Sequence, residues 1–226
     1  MTEIKTIPKK RKRVIKGITV KVCGVTQLDQ FIALNELGIK YVGFNFYPQS
    51  SRYIGNSKLD LTAMWRTLFT THITAVFVNP TIKEIQKANT ILPKIDTIQL
   101  HGTESPLLCS QLQKKYTIIK AIAIDDTTNI QEAISEYINV VDFFLFDTKT
   151  PEYGGSGISY DWHIFKNQII PKPFFISGGI HDDMVSQIKK FSHPNFFGVD
   201  VNSKFETSPG IKDVDKIANF ITRLYK

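Results

Sequence analysis

Short apolar runs alternate along this chain with amphipathic stretches. Ile18-Thr19-Val20-Lys21-Val22-Cys23 has a period of two and stops at Gly24, which predicts a strand entering a turn. Thr26 can cap a helix reaching about residue 37, with Gly38 as its stop. Tyr41 to Phe46 reads as the second strand. The loop Tyr47 to Tyr53 is long for a strand–helix connection, and a helix is expected around 58–70. The same rhythm then predicts strand Ile73–Val78, a helix opened by Pro80 and running to about Ile91, and strand Ile95–Leu100. Next come a helix around 105–115, strand Thr117–Ile122, a helix around 127–138, strand Phe143–Asp147 and a weakly patterned helix around 160–168. Strand Phe174–Ile176, a helix around 182–191, strand Phe196–Val201 and a helix around 212–225 complete the chain. Phe143-Phe144-Leu145-Phe146 is too short for a stable helix and too apolar for a loop. It reads as a parallel strand covered on both faces that delivers Asp147 at its end.

Eight strands alternating with eight helices are the signature of parallel βα units. An open doubly wound sheet is the alternative, but no Gly-x-Gly-x-x-Gly follows the first strand and a count of eight suits closure. The expected fold is therefore a single α/β domain, a (β/α)8 TIM barrel. In such a barrel every strand delivers its C-terminal end to one face. Cys23, Arg52, Asn79, His101, Asp147, Ser177 and Asn202 all lie at or just past strand ends, so scattered positions become one rim.

Composition changes this picture at one end only. The formal charge of +7 and the sequence pI near 9.3 come largely from Lys9-Lys10-Arg11-Lys12-Arg13. Residues 1–16 are expected to form a basic extension and 17–226 the barrel, with the extension a solvated tail rather than a nucleic-acid-binding arm. The modest positive excess left on the barrel suits a phosphorylated small molecule. No apolar run approaches a membrane span and no secretory stretch opens the chain, so a soluble, cytoplasmic protein without membrane partners is expected. Cys23 and Cys109 are too far apart to suggest a disulfide framework, Cys109 reads as structural, and no metal-ligand spacing appears.

Three glycines at 154, 155 and 157 follow Asp147 and can bring backbone N–H groups close to an anion. Ser177-Gly178-Gly179-Ile180 and Val201-Asn202-Ser203, after strands seven and eight, occupy the place where barrels commonly hold phosphate. Several blocks carry a likeness to a known family. They are Lys21-Val22-Cys23-Gly24-Val25-Thr26, Gly43-Phe44-Asn45-Phe46-Tyr47-Pro48 with Ser51-Arg52-Tyr53, Val76-Phe77-Val78-Asn79 and Gln99-Leu100-His101-Gly102. The later ones are Phe146-Asp147-Thr148 with Gly154-Gly155-Ser156-Gly157, Asp161-Trp162, Ser177-Gly178-Gly179-Ile180 and Asp200-Val201-Asn202-Ser203. In register from about residue 19 to the C-terminus, they resemble phosphoribosylanthranilate isomerase of tryptophan biosynthesis.

The resemblance implies an Amadori rearrangement of N-(5-phosphoribosyl)anthranilate, with no cofactor and no metal. It makes Asp147 the general acid at the furanose oxygen and Cys23 the general base at C2, which agrees with the need for two proton carriers flanking one sugar. It places Arg52 at the anthranilate end, and Gly154, Gly155, Ser177, Gly178, Gly179, Asp200, Asn202 and Ser203 around the substrate. His101 is either a substrate contact or a hydrogen-bonding residue beneath the site, and Asp161-Trp162 should cap and anchor a helix. Monomer and homodimer both remain open. Lys204 departs from the family, which usually has Gly there, so the loop must either avoid positive φ or tolerate it. By strand parity Lys21 points inward, and it is expected to pair with Asp200 on the neighbouring strand and to favour the Cys23 thiolate. A sister isomerase acting on a histidine-pathway aminoaldose would carry Asp where this chain has Cys23. A barrel that binds without turnover would not need Cys23 and Asp147 together.

Overall fold

The computed structural model describes residues 17–56, 69–92, 94–149 and 160–226. Eight parallel strands close on themselves in chain order: β1 (Thr19–Val22), β2 (Tyr41–Asn45), β3 (His72–Phe77), β4 (Ile95–Leu100), β5 (Thr117–Ile124), β6 (Phe143–Thr148), β7 (Phe174–Ile176) and β8 (Phe196–Val201). The last pairs with the first, Lys21 beside Asp200 and Val22 beside Val201, which excludes the open sheet. Helices α1 (Leu28–Glu36), α2 (Ile82–Ile91), α3 (Pro106–Gln113), α4 (Ile130–Ile134), α5 (Val185–Lys190) and α6 (Val214–Tyr225) lie in the connections. Among the described residues, no helix is long and apolar enough to cross a membrane.

Strand parity sorts the wall into two environments. Val20 and Val22, Val42 and Phe44, Ile118 and Ile122, Phe144 and Phe146 join the large core that the helices cover. Tyr41, Ile119, Ala121, Leu145 and Phe175 form a second cluster with Phe143 and Phe197, and this one fills the barrel. Its rings plug the end where the strands begin: Tyr41 lies 5.6 Å from Phe175 and Phe143 5.0 Å from Phe197. A register shift between β7 and β8 at Phe174/Phe175 accompanies the turn of Phe197 toward this interior. Where apolar rings end, buried polar groups begin: Lys21, Thr74, Gln99, Asp147 and Asp200.

Several helices differ from the sequence reading for local reasons. Thr26 does not cap α1; its hydroxyl donates to the Gly210 carbonyl instead, and Gln27 stands at the N-cap without a side-chain bond. The helix expected around 127–138 contracts to α4, because Asp125 gathers Thr127 and Thr128 into a turn and leaves Asn129 to cap the short helix beyond it. Residues 160–168 hold one 3-10 turn, Trp162–Phe165, capped by Asp161 and anchored by buried Trp162. A 3-10 turn also precedes α5. Two short strands, β9 (Glu206–Ser208) and β10 (Ile211–Lys212), form an unforeseen hairpin turning through Gly210 at φ 85°. Most of the expected helix around 58–70, the basic extension 1–16 and the Gly154, Gly155 loop lie outside the described residues.

Candidate active site

Cys23 follows β1, its amide held 3.0 Å from the Val201 carbonyl of β8. The side chain reaches across β2, and a Cβ added at Gly43 would lie 2.7 Å from Cys23 Sγ, so glycine there makes room for the sulfur. The thiol is buried. Burial pushes its pKa up; the ammonium groups of Lys21 and Lys212 pull it down, Asp200 pushes with the burial, and the net direction is upward. The expected pull of Lys21 toward the Cys23 thiolate is present, and desolvation, which the sequence did not reveal, outweighs it.

The expected Lys21–Asp200 pair is present. Nζ lies 2.8 Å from Oδ2, with the lysine side chain fully buried and the aspartate 4% exposed. Burial acts against the charged lysine, but Asp200 and the Cys23 sulfur outweigh it and raise the pKa of Lys21. Burial also raises Asp200, with Lys21 opposing. Asp200 Oδ1 is buried and has no hydrogen-bond partner among the described residues.

On the other side of the barrel Asp147 ends β6 and is 7% exposed. Its Oδ1 accepts from the Thr148 amide at 3.0 Å and its Oδ2 lies 3.1 Å from His101 Nε2. The Gln99 carboxamide nitrogen sits 3.0 Å from His101 Nδ1; with that nitrogen as donor the ring keeps its proton on Nε2, facing Asp147 Oδ2. His101 thus lies against the Asp147 carboxyl, a contact compatible with both of its readings.

Arg52 is held in a fork by a residue that sequence reasoning missed. Its Nε donates to Glu206 Oε1 at 3.0 Å and its Nη2 to Oε2 at 2.7 Å, a bidentate pair. Lys212, also buried, donates to Glu206 Oε1 at 2.6 Å and to Asn202 Oδ1 at 2.7 Å. Burial raises the Glu206 carboxyl but Arg52 and Lys212 outweigh it, so its pKa is lowered; burial depresses Lys212. Gly24, at φ 74°, lets this network close on β1, since a Cβ there would lie 2.6 Å from Arg52 Cδ and 2.9 Å from Asn202 Oδ1. The polar residues flanking Ser208-Pro209-Gly210 were the available signal for a hairpin carrying Glu206 and Lys212.

The loops after β7 and β8, expected to hold phosphate, follow neighbouring strands. Gly178 and Gly179 have φ of 88° and 65°, and the close approach of Gly178 to Thr148 leaves no room for a side chain. The Ser177 amide is committed to the Phe146 carbonyl at 2.8 Å. Ser203 opens a 3-10 turn, Ser203–Phe205, after Asn202. Lys204, within that turn, is not among the residues of positive φ, which settles how the loop accepts a side chain in place of glycine.

Cys23, His101, Asp147 and Asn202 stand at strand ends on the rim where barrels of this architecture act on small ligands, with Lys21 and Asp200 beneath them, so fold and site together define a (β/α)8-barrel enzyme. Residues 20–223 match the family described as N-(5′-phosphoribosyl)anthranilate (PRA) isomerase. The chain belongs to that family. It is 40% identical over 207 residues to the N-(5′-phosphoribosyl)anthranilate isomerase of Parabacteroides distasonis, covering 91% of this chain and 92% of the relative. The crystal structure of phosphoribosyl anthranilate isomerase from Thermotoga maritima superposes with a TM-score of 0.74 at 31% identity, covering 92% of this chain and 98% of that one. A further structure, that of the isomerase in complex with reduced 1-(o-carboxyphenylamino)-1-deoxyribulose 5-phosphate, has a TM-score of 0.71 at 28% identity with the same coverage.

Proposed function

We propose that this chain converts N-(5-phosphoribosyl)anthranilate to 1-(o-carboxyphenylamino)-1-deoxyribulose 5-phosphate, with Asp147 as general acid and Cys23 as general base. The observation that carries the reading is the placement of a buried thiol and a buried carboxylate at the ends of β1 and β6 of one closed barrel. A sugar ring in the mouth would have one on either side. Asp147 gives a proton to the furanose oxygen as the C1–O bond breaks and the anilino lone pair forms the Schiff base. Cys23, as thiolate, takes the C2 proton to give the enolamine. Tautomerisation adds a proton at C1 and releases the one on the C2 hydroxyl, so the change is an isomerisation.

The supporting groups suit the rest of the substrate. Arg52, oriented by Glu206, presents a planar cation to the anthranilate end. Ser177, Gly178, Gly179, Asn202 and Ser203 surround the phosphate, with the amides of Gly178 and Gly179 taking the share that the Ser177 amide cannot. Asp200 Oδ1, unpartnered among the described residues, is an acceptor for a substrate N–H or hydroxyl. Gly154 and Gly155, outside the described residues, are assigned to substrate binding on the family resemblance alone.

The test is the change in anthranilate fluorescence on incubation with the purified protein. Conversion that is lost in Cys23→Ser and in Asp147→Asn supports the assignment. An unchanged signal with wild-type protein, or turnover of a histidine-pathway aminoaldose alone, refutes it.

A further inference from the structure

Lys120 is out of place by ordinary rules. It lies on the helix-facing side of β5, between Ile118 and Ile122 of the main core, and is 2% exposed. Glu104 beside it is as deeply buried, with Nζ and Oε2 2.9 Å apart. An ion pair in such a layer is not needed for stability, because an apolar pair of similar volume commonly fills the space at no loss. What an apolar pair cannot do is hold particular backbone groups, and these two charges hold a specific set.

Lys120 Nζ donates to the Gly102 carbonyl at 2.7 Å and lies 3.3 Å from the Leu100 carbonyl. Glu104 Oε1 accepts from the amides of Gly102 and Asn79, each at 2.9 Å. The Asn79 side chain accepts in turn from the Thr103 amide at 2.7 Å. His101 stands in the middle, its own amide bonded to Phe77. Both of its chain neighbours are therefore fixed by one buried pair, while its ring meets Asp147. Lys120 is closed in by Tyr137, whose ring lies 5.6 Å from Nζ and whose hydroxyl donates to the Glu104 carbonyl.

We propose that Glu104 and Lys120 are positioning residues: from outside the barrel they hold the His101 backbone so that its Nε2–H stays on Asp147. This deepens the isomerase reading and rests on it for its effect on turnover. The ring's χ angles have little latitude between Gln99 and Asp147, so a tilt of the backbone at 100–102 breaks the Nε2–H contact and leaves the acid unoriented.

Two readouts test it. Glu104→Gln keeps the shape but offers one acceptor where the carboxylate offers two. The Gly102 amide reaches either oxygen, so it is the Asn79 amide or Lys120 that loses its partner and loosens the 100–103 backbone. In the wild-type background it should lower kcat roughly tenfold with KM nearly unchanged, as for a moderate coupling between residues of one network. In a His101→Asn background the same substitution should cost almost nothing. Equal losses in both backgrounds, or no loss in the first, overturn the proposal. The second readout needs no substrate and so stands apart from the isomerase reading. In 15N-resolved NMR of the neutral histidine rings, His101 should show a single Nε2–H tautomer in the wild type and a mixture in Glu104→Gln. An unchanged tautomer signature overturns the proposal. Should Glu104→Gln fail to fold, the double variant Glu104→Gln/Lys120→Met removes both charges and is read in the same two ways.

Discussion

Replacing Lys21 with Met tests how the barrel interior tolerates charge. Met has nearly the length of lysine without its ammonium, so the packing survives and the partner of Asp200 does not. Lys21 is fully buried, Asp200 is 4% exposed and its Oδ1 already lacks a partner among the described residues, so the substitution leaves a buried carboxylate with neither oxygen satisfied. Breaking a buried pair from one side costs about 3–5 kcal/mol. For a chain of this size each kcal/mol is about 2–4 °C, so the melting temperature should drop by roughly 6–20 °C. The loss must depend on pH. The Asp200 pKa is raised by burial even with Lys21 present, and without Lys21 it rises further. A carboxyl whose folded pKa lies above its unfolded one costs nothing below the unfolded value, destabilises the fold increasingly as pH rises between the two, and does so fully above the folded value. Lys21→Met should therefore be closest to wild type at about pH 4 and furthest at about pH 8. Adding Asp200→Asn should recover much of the loss, because the orphan charge is gone. Thermal melts of the wild type and the two variants across that range provide the measurement. A single variant that melts with wild type at the alkaline end, or a deficit that grows toward acid, refutes the reasoning.

The same geometry has other consequences. Lys21 pulls the Cys23 thiol down against burial, so a surviving Lys21→Met should have the acid limb of its kcat–pH profile moved to higher pH. Gly43→Ala puts a methyl 2.7 Å from the resting place of the Cys23 sulfur and should cut kcat at least tenfold by misplacing the base, with KM little changed, measured in steady-state assays. Glu206→Gln weakens a bidentate, charge-assisted fork worth about 1.5–3 kcal/mol, and should raise KM roughly tenfold more than it lowers kcat as Arg52 loses its orientation. Cys23→Ser should lower turnover by roughly 10²–10⁴-fold while affinity for a reduced product analogue, measured by fluorescence titration, stays near wild type. Removing residues 1–13 should leave both turnover and melting temperature nearly unchanged; a loss of several degrees would place the tail on the barrel.

What could be read from the chain and what could not separate along one physical line. Parity and periodicity are local, so the strands, the inward direction of Lys21, and Asp147 at a strand end were all legible. Closure made one long-range pair legible as well: once β8 must neighbour β1, Lys21 and Asp200 have to meet. The Arg52–Glu206 fork was not legible, because the two residues are 154 positions apart and meet only through a hairpin that pattern reading left inside a loop. The same holds for Lys120. Its presence in the apolar run Ile118-Ile119-Lys120-Ala121 was a visible anomaly, but its partner lies in the β4–α3 loop, whose path no periodicity describes. The downward pull of Lys21 on the thiol was foreseen, and the larger opposing effect of burial was not, since desolvation depends on atoms from every neighbouring strand.

The charges sort by what surrounds them. Inside the barrel the aromatic plug excludes water below, and Lys21, Asp200, Asp147 and Cys23 then influence one another through a medium of low dielectric. In that setting each buried charge costs stability, and the fold retains it only if the shifts it induces are useful at the mouth. The Glu104–Lys120 pair lies on the helix-facing side of the wall, away from that interior, yet it carries the same cost. The two sets are joined where Gly102 meets His101, which is why a substitution on the outer face of β5 should be felt at the carboxylate of β6.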